Sequence, residues 1–165
     1  MKMLITSKEN EKLFKKANGA WDKGDLRQAF ELFLRAAESG HAASQLDLGY
    51  FFDCGLHIKK NKKKALYWYY KAYLQNDAGA ASNIAILHRE WNEPTKMIWW
   101  FKKSAAMGDQ DALLEIGKCY EAGSGVSRNL EKAKRLYRRV LMSKHVIEFS
   151  REEAKIRLIE LQKNT

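Results

Sequence analysis

Apolar residues recur along this chain at the spacing of a helix face, and they do so in paired segments. Ala29, Leu32, Phe33 and Ala36 stand at i, i+3, i+4 and i+7, positions that share one side of an α-helix. The same frame returns three times: Ala65, Ile98 and Ala133 correspond, and seven residues later so do Ala72, Ala105 and Val140. Between them Trp68, Phe101 and Leu136 share one position, and Tyr69, Lys102 and Tyr137 the next. A second signature precedes each frame. Gly40 to Gly55 and Gly108 to Gly123 align in register, and residues 76–88 form a weaker copy. In these, Leu48, Ile84 and Ile116 are each followed by a small residue, Gly49, Ala85 or Gly117, which lets another helix approach closely. Each unit is predicted to be a helix pair, with repeats at about 8–39, 40–75, 76–107 and 108–141 in a single repeat domain.

The connections carry their own signals. Gly55 to Asn61 and Gly123 to Asn129 are parallel loops: a glycine suits the end of the first helix, and an asparagine suits the start of the second. Ile58 and Val126 are expected to tuck these loops onto their pairs. The third unit shortens the loop to Trp91-Asn92-Glu93-Pro94, with Pro94 fit for a first-turn position. At the end, Ser150 and Glu153 form a capping-box pattern, and Ala154 and Leu158 repeat the spacing of Ala112 and Ile116. This predicts a lone capping helix over about 150–163, with Lys155, Arg157, Glu160 and Lys163 facing solvent.

The run Ala112, Ile116-Gly117, Tyr120, Gly123, Gly125-Val126, Asn129, Lys132-Ala133 and Tyr137 resembles the Sel-one-like repeat family, relatives of tetratricopeptide repeats. The second unit matches through Leu48-Gly49, Phe52, Gly55, Ile58, Asn61, Lys64-Ala65, Trp68-Tyr69 and Lys71-Ala72. The third unit is degraded, and the first, with its tight Gly24-Asp25 turn, is closer to the tetratricopeptide form. The resemblance implies an all-α, right-handed α-solenoid of antiparallel helix pairs that serves as a binding scaffold.

Stacking consumes most apolar residues of such a fold, so binding falls to what is left outside. One stripe on the first helices runs Asp47, Tyr50, Asp53, then Asn83, Ile86, Arg89, then Glu115, Lys118, Glu121, with Lys16, Gly19 and Asp22 at the equivalent places in the first unit. In related superhelices this stripe lines the concave groove. A second patch lies on the second helices, where Glu31, Tyr67, Trp100 and Arg135 correspond. Charge at that position in two units argues that it faces water, so Tyr67 and Trp100 there form an aromatic patch of the kind interfaces favour. The competing reading packs Tyr67, Trp99 and Trp100 around the shortened third loop.

Composition narrows the function. A single proline in 165 residues agrees with helices. No apolar run reaches the roughly 18 residues of a membrane span, and no signal peptide is recognisable, so a cytoplasmic location is expected. Cys54 and Cys119 are expected as reduced, packed thiols. His41, His57, His88 and His145 fall on different units without ligand spacing, and Gly123-Ser124-Gly125 lacks the lysine of a phosphate loop. No catalytic residue, metal or cofactor is predicted. The formal charge of +10 is uneven: residues 1–55 hold eight basic and eight acidic side chains, residues 56–110 ten and four, and residues 111–165 twelve and eight. The excess suits an acidic partner. The run Lys59-Lys60-Asn61-Lys62-Lys63-Lys64 also admits salt-sensitive nucleic-acid contact, the less favoured alternative. Among protein partners, an assembly that the chain scaffolds and a toxin that it neutralises both stay open.

Overall fold

The computed structural model describes residues 6–163. Thr6 opens it: its hydroxyl accepts from the Glu9 backbone N–H at 3.2 Å while the Glu9 carboxylate accepts from the Thr6 N–H at 2.8 Å. That reciprocal cap starts α1 (Ser7–Asp22). There follow α2 (Leu26–Glu38), α3 (Ala42–Cys54), α4 (Lys62–Tyr73), α5 (Ala78–Glu90), α6 (Pro94–Ala106), α7 (Ala112–Ala122), α8 (Leu130–Met142) and α9 (Glu148–Lys163). Every described element is a helix, and the helices follow one another as hairpin pairs. Their contacts divide into two compact units, one up to Ala80 and the other from Ala81 onward.

The turn chemistry read from the sequence is present in both units. Gly55 and Gly123 end α3 and α7 in the left-handed region, with φ of 75° and 73°. Asn61 accepts from the Lys64 N–H at 3.0 Å, and Asn129 from the Lys132 N–H at 2.9 Å, so each second helix has a satisfied start. Pro94 occupies the first turn of α6. The loop of the fourth pair lies against this turn: a side chain at Gly125 would collide with the Pro94 carbonyl.

In the first unit, Phe33, Leu48, Phe51 and Tyr69 are fully buried. Trp21 meets Phe33 and Phe51 edge-on, with centroids 5.8 and 5.1 Å apart, the arrangement that aromatic quadrupoles favour. In the second unit, Ala85, Met97, Ile98 and Phe101 pack with Ala112, Ile116 and Cys119. Leu114, Tyr137 and Val140 pack with Ala154, Leu158 and Leu161 of α9. Burial pushes the Cys119 thiol up to about 11, leaving it inert. Cys54, expected to be packed, is exposed instead, because the last turn of α3 runs past the buried stripe.

The helix pairs close on a ring laid against a glycine. A Cβ at Gly49 would sit 2.5 Å from Cδ1 of Tyr69, and one at Gly117 would collide with the Tyr137 ring in the same way. Ala85 occupies the equivalent place in the third pair, and there the second helix carries Lys102, which is exposed. Without a ring at 102, α6 turns its buried side toward Met97. It buries Met97, Ile98, Phe101 and Ser104, whereas α4 buries Ala65, Trp68, Tyr69 and Ala72.

One boundary differs from the sequence reading. α9 begins at Glu148, so Ser150 lies inside it, buried, and caps nothing. Three contacts tie this start to its neighbours. The Ile147 N–H donates to Asp111 at 3.1 Å, and the Arg151 guanidinium donates to the carbonyls of Leu141 and Ser143 at 3.0 and 3.1 Å. With its first turn held there, the helix needs no serine cap two residues later.

Replacing Gly117 by Ala is expected to destabilise the protein by roughly 1–3 kcal/mol through overpacking against Tyr137. Urea unfolding followed by far-UV dichroism reads it. A neutral result would mean that the ring is free to swing away.

Candidate functional site

The first-helix stripe divides into side chains that hold the fold and side chains that face water. In the second unit nearly all of its charges are spent internally. Arg89 pairs with Glu115, and its guanidinium lies over the Phe101 ring at 5.3 Å. Lys118 donates to Glu115 at 2.9 Å and to Glu153 of α9 at 2.8 Å. Arg157 of α9 donates to Glu153 at 3.0 Å and to Glu121 at 3.2 Å. The Tyr137 hydroxyl donates to Glu121 at 2.5 Å. These links form one ladder across α5, α7 and α9. Burial pushes the Glu153 carboxyl up, but hydrogen bonds from Lys118 and Arg157 outweigh it and hold the group below its ordinary value. Arg157, expected to face solvent as part of a cap, is half-buried in this ladder.

The first unit repeats the device on a smaller scale. Asp53 pairs with Lys62 and accepts from the Tyr69 hydroxyl at 3.3 Å. Burial raises Tyr69, with the Asp53 charge adding to it; burial and the bond to Glu121 raise Tyr137 likewise. Both phenols stay protonated, as donors to their carboxylates. Of the predicted groove residues, Asp53, Arg89, Glu115, Lys118 and Glu121 are therefore braces. Asn83 and Asp47 are half-buried. Tyr50 remains outward, 42% exposed and stacked on Trp21 at 5.8 Å, and Ile86 is exposed at the edge.

Asp47 is the strained member. Burial, and then the Asp77 carboxylate, lift its carboxyl to about 6. Asp77 itself caps α5 through the Ala80 N–H at 2.8 Å.

The second helices expose different side chains from those the repeat alignment singles out. Tyr67 is 53% exposed, and Tyr70 and Leu74 are exposed beside it. With Lys63 they lie on the side of α4 opposite its buried residues, a placement that follows from the 3.6-residue period. Lys71 lies over the rings of Tyr67 and Trp68 at 4.9 and 5.2 Å. On α6 the exposed ring is Trp99, at 49%, with Lys103 over it at 4.9 Å. Trp100 was expected to be the exposed one; it is half-buried and packs against the Met97–Phe101 cluster. The rotation of α6 toward Met97 is the cause. The competing reading packed Trp99 with Tyr67 and Trp100 around the third loop, but Tyr67 and Trp99 are exposed; Tyr70 and Leu74, at i+3 and i+7 from Tyr67, were not expected as binding residues.

No group of three or more His, Cys, Asp or Glu side chains able to hold a metal occurs among the described residues, and none of their helices is long and apolar enough to cross a membrane.

Because folding lifts the Asp47 carboxyl above its unfolded value, the folded state binds the extra proton between about pH 4 and 6. Stability is then lost as pH rises through that window. Asp47→Asn is expected to stabilise the protein at pH 7 by roughly 1–2 kcal/mol, allowing for solvent screening. The gain should vanish below about pH 4. Paired urea titrations at pH 4 and 7 measure it, and an equal effect at both would refute the assignment.

Comparison with known proteins fits this architecture. The Sel1 repeat model matches residues 13–41, 42–77, 98–109 and 110–139. It passes over 78–97, where the third pair is degraded. The chain is 27% identical over 126 residues to the ERAD-associated E3 ubiquitin-protein ligase component HRD3 of Candida glabrata, covering 72% of this chain and 15% of that protein. It is 27% identical over 120 residues to the chitin synthase regulator SKT5 of Saccharomyces cerevisiae, covering 68% and 17%. The chain thus spans about a sixth of the length of these relatives. Among solved structures it resembles c5321, a protective antigen of uropathogenic Escherichia coli with an SLR fold, at a TM-score of 0.77 and 25% identity, covering 92% of this chain and 33% of that one. Its fold is an all-α solenoid, and the chain belongs to the Sel1 repeat family.

Proposed function

We propose that this chain is a non-catalytic module that binds an acidic partner protein through the outer face of α4. Sel1 repeats mediate protein–protein interaction, and their fold is a scaffold fold; the partner's chemistry and the face are inferred here from the residues. The observation that carries the reading is the composition of α4. Lys63, Tyr67 and Tyr70, with Leu74 just past the helix end, share its solvent side, and no acidic residue occurs between Lys62 and Tyr73. Exposed tyrosines bury large area on contact at little entropic cost. The lysines supply the complementary charge and sit at the helix N-terminus, where the dipole disfavours them. An acidic surface relieves that conflict. Lys59 and Lys60 in the preceding loop are exposed and extend the basic edge.

The groove reading is the weaker one, because five of its nine residues are braces. Relatives named as a ligase component and as an enzyme regulator agree with a chain that acts by holding another protein. Whether that protein is an assembly member or a toxin to be neutralised is decided by the partner's identity.

A photo-cross-linking residue at position 70, in protein kept in its native source, should trap the partner for mass spectrometry. Direct titration of that partner should then weaken at least tenfold with Tyr67→Ala/Tyr70→Ala and with Lys63→Glu/Lys64→Glu, the helical dichroism being unchanged. Binding that ignores the α4 changes but fails with Tyr50→Ala/Ile86→Ala would move the site to the first helices. Binding abolished by nuclease would give the basic run to nucleic acid.

A further inference from the structure

A solenoid's terminal helix normally turns a polar face outward. α9 does not. Its buried stripe is Ser150, Ala154, Leu158 and Leu161. Directly opposite, at the spacing of one helix face, stand Glu152, Ile156, Ile159 and Lys163. Ile156 and Ile159 are 53% and 44% exposed, and Phe149 continues the apolar line toward the helix start. In register with α7, Ile156 and Ile159 fall where Leu114 and Gly117 stand, the positions that α8 covers in the preceding pair. The face is therefore built like one that meets another helix.

Its charges say which helix. In an antiparallel pair, residues whose numbers have a constant sum share a layer. With the two-fold axis between Arg157 and Leu158, Ile156 meets Ile159 of the second copy, and Ile159 meets its Ile156. The next layer outward on each side sets Glu152 against Lys163 of the other copy. The α9 face is thus complementary to itself: an apolar centre closed at both ends by opposite charges. Parallel pairing would instead set Glu152 beside Glu152 and Lys163 beside Lys163. α1 offers no match, since its exposed side carries Lys8, Glu11, Lys12, Lys15 and Lys16.

We infer that two copies of this chain associate through antiparallel pairing of α9 across a two-fold axis. This does not rest on the α4 reading. A helix of 16 residues is about 24 Å long, so the contact is small and the dimer belongs to the weak, reversible class.

Sedimentation equilibrium of the full chain from about 5 to 500 μM tests it. The expected mass rises with concentration from the 19.1 kDa monomer toward twice that value. Ile156→Ser/Ile159→Ser should weaken association at least tenfold with unchanged dichroism. Glu152→Lys or Lys163→Glu alone should also weaken it, and the double exchange Glu152→Lys/Lys163→Glu should restore it. Should the isoleucine variant unfold, the charge-exchange set decides by itself. A monomer mass at every concentration, or association indifferent to the charge exchange, overturns the proposal.

Discussion

A tyrosine ring packed against a glycine sets the spacing of the best-formed helix pairs, and much of the outer surface follows from it. With no side chain at Gly49 or Gly117, the second helix comes close enough for Tyr69 or Tyr137 to fill the gap completely. The ring then carries its hydroxyl to the last turn of the first helix. A buried hydroxyl without a partner is costly, so that turn must supply an acceptor. Asp53 does so in one pair and Glu121 in the other. Two carboxylates that look from the sequence like groove residues are thus dictated by the core beneath them.

A half-buried carboxylate demands a cation in turn. Lys62 serves Asp53, and Arg157 serves Glu121. In the second unit the demand propagates, because Arg157 and Lys118 share Glu153, and Lys118 shares Glu115 with Arg89. Pairs of this kind contribute little singly. Joined, they lock the register of α5, α7 and α9, and that is why so few of these charges remain for a partner. The third pair escapes the rule: Ala85 leaves no room for a ring, Lys102 replaces the tyrosine, and Arg89 stands where a carboxylate would.

These relations explain what could and could not be read in advance. Repeat length was legible because the pattern recurs, and the glycine ends of α3 and α7 and the asparagine caps because each is a local contact within four residues. The small residue after Leu48 and Ile116 was legible because only close approach explains it. The ion ladder was not, since the links that join its helices span 26 to 36 positions. Trp100 was misplaced because aligning repeats assumes that equivalent positions face alike, and α6, with Lys102 in place of a ring, buries Met97 and turns out of that frame. α9 was read as a cap with Lys155, Arg157, Glu160 and Lys163 outside; three of these are exposed, but Arg157 turns inward to Glu121 while Ile156 and Ile159 turn outward.

The two exposed faces differ in what flanks their apolar residues, and that difference decides what each can hold. Around Tyr67 and Tyr70 every charge on α4 is positive, which disfavours a second copy there and favours a surface of opposite sign. Around Ile156 and Ile159 the charges are of both signs, one at each end of the patch. An antiparallel copy reverses the order and turns each end into its complement. If α4 takes an acidic protein and α9 a second copy, like apolar content on the two helices leads to opposite preferences. The apolar residues make contact worthwhile, and the arrangement of charge selects the partner.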